Sequence, residues 1–174
     1  MFYRLILYKD VELHPRFFGP NMRDTLKAKV TAEVEGTVSG KYGFIAAVPD
    51  VVDYGRGIIR EGTGFATFRV KYLCIVMRPV KGEVMDCVVT SVNKVGFFAE
   101  AGPLNIFVSN HLIPEDFEFN TTDDTQFVTT DASTRIRQGT EVRVRIVGTR
   151  TDLTEIFCVA TIKEDFLGVV GDPT

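Results

Sequence analysis

The sequence has few residues suited to catalysis or metal binding. It contains two histidines, His14 and His111, and three cysteines, Cys74, Cys87 and Cys158. No two cysteines stand at metal-ligand or redox-motif spacing, and neither histidine has a Cys or carboxylate partner at a recognisable interval. The pairs Asp123-Asp124 and Glu164-Asp165 lie in polar segments and read as a solvated turn and tail. Gly36, Gly40 and Gly43 precede a strand rather than a helix, so they make no phosphate loop. No catalytic constellation, metal site or cofactor is expected. The cysteines sit among apolar residues, which predicts buried reduced thiols and a reducing compartment, cytosol or nucleus.

Long apolar runs are missing too. The longest, Tyr72 to Met77, is bracketed by Lys71 and Arg78. A helical bilayer span needs about 20 apolar residues, so no membrane crossing is predicted. The start, Met1 to Leu5, alternates like a strand and lacks the pattern of a signal peptide. Internal repeats are also absent.

What is abundant is Phe, with 14, and Gly, with 15, among 174 residues. Many strands, tight turns and a large apolar surface follow. Net charge is −3 but unevenly spread: residues 1–80 hold 12 Lys and Arg against 8 Asp and Glu, residues 81–174 hold 8 against 15. The two parts therefore suit different partners.

The order of elements supports the same division. Met1 to Val11 reads as a strand with few polar positions, so both of its faces are expected to be covered. After the turn at Phe17-Phe18-Gly19-Pro20, Pro20 suits the first position of a helix. Met22, Leu26, Val30 and Val34 recur every four residues, an amphipathic helix over Asn21 to Glu35 closed by Gly36. Period two follows over Thr37–Ser39, Tyr42–Val48, Gly57–Arg60 and Phe65–Arg78, with turns at Pro49-Asp50 and Gly62-Thr63-Gly64. The last of these strands should end buried on both sides. One helix on an antiparallel sheet makes an α+β unit. Arg78-Pro79-Val80-Lys81-Gly82 is the best boundary, giving domains 1–79 and 80–174. Beyond it five strands without a long helix, at Glu83–Val92, Gly96–Ala101, Leu104–Val108, Glu141–Thr149 and Glu155–Lys163, predict a small closed OB-type barrel. Asn120 to Ser133, rich in Thr and Asp, reads as a polar surface loop. The tail from Glu164 carries Phe166, Leu167, Val169 and Val170, and such a terminus should dock.

Binding is better supported than catalysis. An OB barrel offers a sheet face with aromatics for stacking and cations for a nucleic-acid backbone. Phe97, Phe98 and Phe107 lie on its second and third strands. On the fourth, Val142, Val144 and Ile146 point one way and Arg143 and Arg145 the other, with Arg150 at its end; Lys81 and Lys94 add charge. The competing reading, core Phe and solvated Arg, has equal weight on pattern alone. In the first unit, Arg16 to Pro20 and Arg56 to Phe65 mix aromatics, Ile58, Ile59 and Arg at turns, the composition of protein–protein hot spots.

Long ordered motifs carry a resemblance over nearly the whole chain. HPRFFGPNM (14–22), VEGTVSGKYGFI (34–45), GTGFATFRVKY (62–72), RPVKGEV (78–84), GFFAEAGPLNIFVSNHLIP (96–114) and KEDFLG (163–168) together resemble the family of the seventh subunit of eukaryotic RNA polymerase II and its counterpart in the archaeal polymerase. The segments 14–20 and 163–168 look most like the polymerase II member. The resemblance implies an N-terminal tip of truncated ribonucleoprotein-like fold and a C-terminal OB barrel of S1 type. It implies a nuclear, non-catalytic stalk subunit paired with the fourth polymerase subunit. The tip would dock near the clamp of the largest subunit and the shared sixth subunit, and the barrel would contact nascent single-stranded RNA. Arg16, Phe17, Phe18, Gly19, Pro20, Ile58, Ile59 and Phe65 match the docking loops; Phe98, Lys94, Arg143 and Arg145 are the RNA candidates.

Gly82, Val84, Val89, Val92, Gly96 and Phe98 match the general S1 pattern without a gap. Strong RNA binders of that class carry an aromatic before the second Gly and a His ending the third strand. Here those positions are read as Val95 and Val108, leaving Phe98 as the one stacking group and predicting weak intrinsic RNA affinity. The alternatives are a free RNA-binding protein acting on mRNA, with shuttling to the cytoplasm, the equivalent subunit of another nuclear polymerase, and a pure assembly factor.

Overall fold

The structure is a computed structural model that describes residues 1–121 and 125–171. The carboxylate pair Asp123-Asp124 lies outside the described residues. The chain divides into two compact units, Met1–Arg78 and Pro79–Thr174. None of the described helices is long and apolar enough to cross a membrane.

The first unit is one helix on a mixed-length antiparallel sheet. Its strands are β1 (Phe2–Leu13), β2 (Val38–Ser39), β3 (Gly43–Asp53), β4 (Gly57–Ile59) and β5 (Ala66–Met77), with helix α1 at Met22–Val34. The sheet order is β1-β5-β3-β2, and β4 pairs with β5. The four-residue spacing puts Leu26, Val30 and Val34 into the core against Val11, Leu13, Val70, Cys74 and Val76. Each such burial contributes about 1.5–3 kcal/mol. Gly36 follows the helix at φ +76°, a left-handed position that suits glycine.

Four local expectations change here. Pro20 is not the first helical residue; the helix begins at Met22, with Asn21 at the N-cap position but making no side-chain capping hydrogen bond. A 3-10 turn over Pro15–Phe17 comes first, with the His14 Nδ1 accepting from the Arg16 amide at 3.1 Å. Pro49-Asp50 is no turn between strands. It lies inside β3, where the register against β5 shifts at three places, and bulges tolerate proline's missing donor. Nor is β1 covered on both faces. One helix covers one face of the sheet, so Leu5, Leu7, Val11 and Leu13 pack inward while Phe2, Ile6 and Tyr8 face outward and are exposed. For the same reason β5 ends with Cys74 and Val76 buried but Leu73, Ile75 and Met77 only half-buried.

The second unit is a barrel of β6 (Val84–Asn93), β7 (Gly96–Ala101), β8 (Leu104–Ser109), β12 (Glu141–Thr151) and β13 (Ile156–Thr161). Antiparallel pairing runs β8-β7-β6-β12, β12 pairs with β13, and β13 closes on β8 in parallel. Val89, Phe97, Leu104, Ile106, Val108, Val142, Val144, Ile146, Ile156 and Cys158 fill the interior.

The described part of the stretch expected to be a polar loop contains strand instead. Strands β9 (Phe117–Asn120), β10 (Gln126–Thr129) and β11 (Arg135–Ile136) form a small sheet in the order β11-β10-β9. Phe127 and Ile136 face each other across it and are buried. The hydroxyls close the turn that joins β10 to β11: Thr134 donates its amide to the Thr129 hydroxyl, and Ser133 donates to Asp131 through amide and hydroxyl. Hydrogen bonds from Thr129 and Ser133 hold the Asp131 carboxyl down to about 2. The tail docks on its own barrel: β14 (Gly168–Val169) pairs with Val142 and Arg143. Just before it Phe166 sits at φ +66° with its side chain 96% exposed.

Two measurements test this core. Gly96 has φ +148°, and a Cβ there would meet the Val108 carbonyl oxygen at 2.1 Å. Gly96→Ala should destabilise the chain by about 2 kcal/mol or more, read by denaturant unfolding. All three cysteines are buried. Burial pushes the Cys87 thiol up to about 12 and that of Cys158, with help from the Glu83 carboxylate, up to about 11; burial raises Cys74 as well. At pH 8 a thiol reagent should therefore label none of them until denaturant is added.

Candidate functional site

The barrel face is built by the β6–β7 hairpin and its neighbours. Lys94 and Val95 form the turn and are exposed; Gly96 then starts β7. Strand alternation sends Phe97 inward, fully buried, and Phe98 outward, 39% exposed. On β8, Leu104, Ile106 and Val108 point inward and Phe107 outward. Phe98 and Phe107 are direct cross-strand partners, with ring centroids 4.8 Å apart and planes inclined at 40°. Val159 of β13 lies opposite Phe107 on the other side. Together with Phe157 it extends the outward apolar strip and borders a cavity of about 520 Å³ with Gly148 and Arg150.

This geometry corrects the expectation about stacking groups. Val108 is a core residue at 0% exposure, so no surface ring could occupy its position. The outward residue at the end of the third strand is Phe107, and the face keeps two adjacent rings rather than one. Phe157 and Val159 were missed altogether. Their signal was the alternation in Ile156–Thr161, whose buried positions Ile156, Cys158 and Ala160 leave 157 and 159 outside.

The two arginines of β12 do point outward, but each has a carboxylate. Arg143 makes a bidentate pair with Asp86, Nε to Oδ1 at 2.7 Å and Nη2 to Oδ2 at 3.0 Å. Arg145 pairs with Glu164 of the tail, and its Nε is buried without an acceptor. The hydrogen bond from Arg143, then its charge, holds the Asp86 carboxyl below its usual range. The stabilising contribution is therefore present above the ordinary carboxylate range and is lost as pH falls through the depressed value. Nor are these arginines beside the rings. Arg143 faces Asp86 and Phe98 faces Ser91, positions separated along β6 by about 16 Å at the usual strand rise. Lys94 is on the hairpin that carries Phe98.

In the first unit the two candidate segments meet at one end of the sheet. Leu13 and Ile59 both pair with Ala66 from opposite sides. The His14 ring stands edge-on to Phe65, centroids 5.1 Å apart. Phe17 carries the Arg16 guanidinium over its ring at 4.6 Å. Phe17 and Phe18 are exposed, Ile58 and Ile59 more so at 72% and 66%, while Phe65 is half-buried under His14. Gly19 and Pro20 complete the turn into α1, whose Met22 amide donates to the Gly19 carbonyl. Arg60 is tied to Glu12 at 3.2 Å.

Comparison with known proteins gives this arrangement its class. Residues 9–64 match the SHS2 domain found in the N terminus of Rpb7p/Rpc25p/MJ0397, and residues 78–158 match the S1 RNA binding domain. The chain is therefore an SHS2 domain followed by an S1 barrel. It is 57% identical to DNA-directed RNA polymerase II subunit RPB7 of Glycine max, over 99% of this chain and 98% of that one. Identity to DNA-directed RNA polymerase II subunit 7 of Arabidopsis thaliana is 55%, again over 99% and 98%. With RPB7 of Saccharomyces cerevisiae it is 39% over 98% and 100%. The chain belongs to the family of the seventh subunit of DNA-directed RNA polymerase II.

A substitution separates core from surface at the corrected position. Val108→His, which would add a stacking group if the side chain were outside, should instead destabilise the barrel by about 1–3 kcal/mol because it buries an unpaired polar ring. Thermal unfolding reads the loss.

Proposed function

We propose that this chain is a non-catalytic stalk subunit of nuclear RNA polymerase II. It pairs with the fourth subunit, anchors the stalk beside the clamp and the shared sixth subunit, assists initiation by favouring a closed clamp, and contacts nascent RNA at the exit channel. The observation that carries this reading is the identity to RNA polymerase II subunits along essentially the entire chain. As a member of that family it is a polymerase subunit, and its location is nuclear. Docking falls to the exposed edge formed by Arg16, Phe17, Phe18, Gly19, Pro20, Ile58 and Ile59, with Phe65 as the support beneath. Aromatic and Arg clusters with exposed apolar tips are what hot spots use.

RNA contact falls to Phe98 and Lys94 first, with Phe107 as the second ring. Arg143 and Arg145 are secondary, because each must exchange a carboxylate for a phosphate. Two adjacent platforms, at about 1–3 kcal/mol per stacked base, also favour a second reading. In it the chain binds single strands appreciably on its own and acts on mRNA apart from the polymerase, shuttling to the cytoplasm.

One experiment addresses docking and another addresses RNA. Ile58→Asp with Ile59→Asp touches only exposed side chains, so the chain should fold and keep the fourth subunit. Recovery of the largest subunit in a pull-down from nuclear extract should fall about tenfold, which corresponds to about 1.4 kcal/mol. Unchanged recovery would remove this edge from the interface. Phe98→Ala with Phe107→Ala should reduce RNA crosslinking to the assembled polymerase about tenfold or more. Tight, salt-tolerant binding of RNA by the isolated wild-type chain would put the second reading first.

A further inference from the structure

We infer a second nucleotide subsite, a polar cleft between β6 and the turn after β11 that takes a phosphate and ribose of the strand leaving the Phe98–Phe107 pair. The inference rests on the RNA contact proposed above. The cleft measures about 490 Å³ and is lined by Thr90, Ser91, Val92, Thr125, Arg137 and Gln138.

Its first wall is joined to the aromatic platform. The β6–β7 register shifts between Val89 and Ser91, which leaves Thr90 as the extra residue of a bulge. The Thr90 hydroxyl donates to the Phe98 carbonyl at 3.2 Å, and Ser91 is the cross-strand partner of Phe98. The cleft therefore begins at the strand position beside the exposed ring. The second wall is the turn from Arg137 to Thr140, closed by the Thr140 amide on the Arg137 carbonyl at 3.1 Å and the Arg137 amide on the Thr140 hydroxyl at 3.2 Å. Two backbone bonds fasten this turn to the bulge: the Gly139 amide donates to the Val89 carbonyl at 2.8 Å, and the Val89 amide to the Thr140 carbonyl at 3.0 Å. The cleft is thus held by main chain on both sides.

Its chemistry suits a nucleotide backbone. Ser91, Thr125, Gln138 and Arg137, whose side chains all carry donor groups, line one opening. Among the described residues Arg137 makes no ion pair, whereas Arg143 and Arg145 both do. A guanidinium not already paired with a carboxylate binds a phosphodiester by its planar fork. Hydroxyl and amide groups beside it are the usual partners of a ribose 2′-OH.

The test is fluorescence anisotropy of the full chain with a labelled oligouridylate of about twelve nucleotides and with a uridine dinucleotide, across a salt series. Arg137→Gln and Ser91→Ala are compared with Phe98→Ala. Arg137 and Ser91 are exposed, so melting temperatures should match wild type. Arg137→Gln should weaken the long oligonucleotide about three- to tenfold, lower the salt slope by about 0.7, and leave the dinucleotide unaffected. Phe98→Ala should weaken both ligands. Wild-type affinity and slope in Arg137→Gln and Ser91→Ala, with loss in Phe98→Ala, would overturn the cleft and leave the aromatic face standing. No measurable RNA binding by the wild-type chain even at the lowest salt would overturn the cleft, while the aromatic face is judged separately by RNA crosslinking of Phe98→Ala with Phe107→Ala in the assembled polymerase.

Discussion

Gly96 lies so close to the Val108 carbonyl that no side chain fits between them, and the barrel's outward chemistry follows from that contact. It fixes β7 against β8 with Gly96 opposite Ser109, and the two-residue period then places Phe98 opposite Phe107. A slip of one residue would send Phe98 inward and Phe97 out. The same register turns Val108 into the core, beneath the face it was expected to decorate. Thr90, tied to the carbonyl of Phe98, links the bulge of β6 to this pair. A backbone contact thus governs which rings a single strand could meet.

Charge is arranged differently from the way the strands suggest it. Arg143 and Arg145 look like a cationic ladder, yet Asp86 on β6 and Glu164 in the tail neutralise them. These pairs hold the tail and the neighbouring strand to β12. Among the described residues Lys94 in the hairpin and Arg137 after β11 make no such pair. An acidic barrel with a few localised cations offers a narrow track for a polyanion rather than a broad attractive field.

Much of the fold was legible because it rests on periodicity. Met22, Leu26, Val30 and Val34 announce the helix, and the alternation in Glu141 to Thr149 announces a barrel strand with its buried face. What was not legible depends on neighbours in space. Proline in β3 looks like a turn until bulges accommodate it. The Thr- and Asp-rich stretch looks like a loop because Phe127 and Val128 stand among polar residues, and Phe127 meets Ile136, which lies beyond the stretch, only when β10 and β11 pair. The candidate docking residues were legible as two segments. Their meeting at one end of the sheet, through Ala66 and the His14–Phe65 contact, was not. Val108 and Phe107 are adjacent at the end of β8, and only the pairing with β7 shows that Phe107 faces outward and Val108 inward.

The short pairing of Gly168 and Val169 with Val142 and Arg143 also bears on how the barrel avoids its own kind. β13 reaches β12 only from Arg145 onward, so the stretch before it would present open amides and carbonyls along a β-rich edge. The tail occupies that edge. Covered in this way, the edge offers no open ladder there for strand addition by a second molecule, one route by which an exposed sheet margin leads to aggregation.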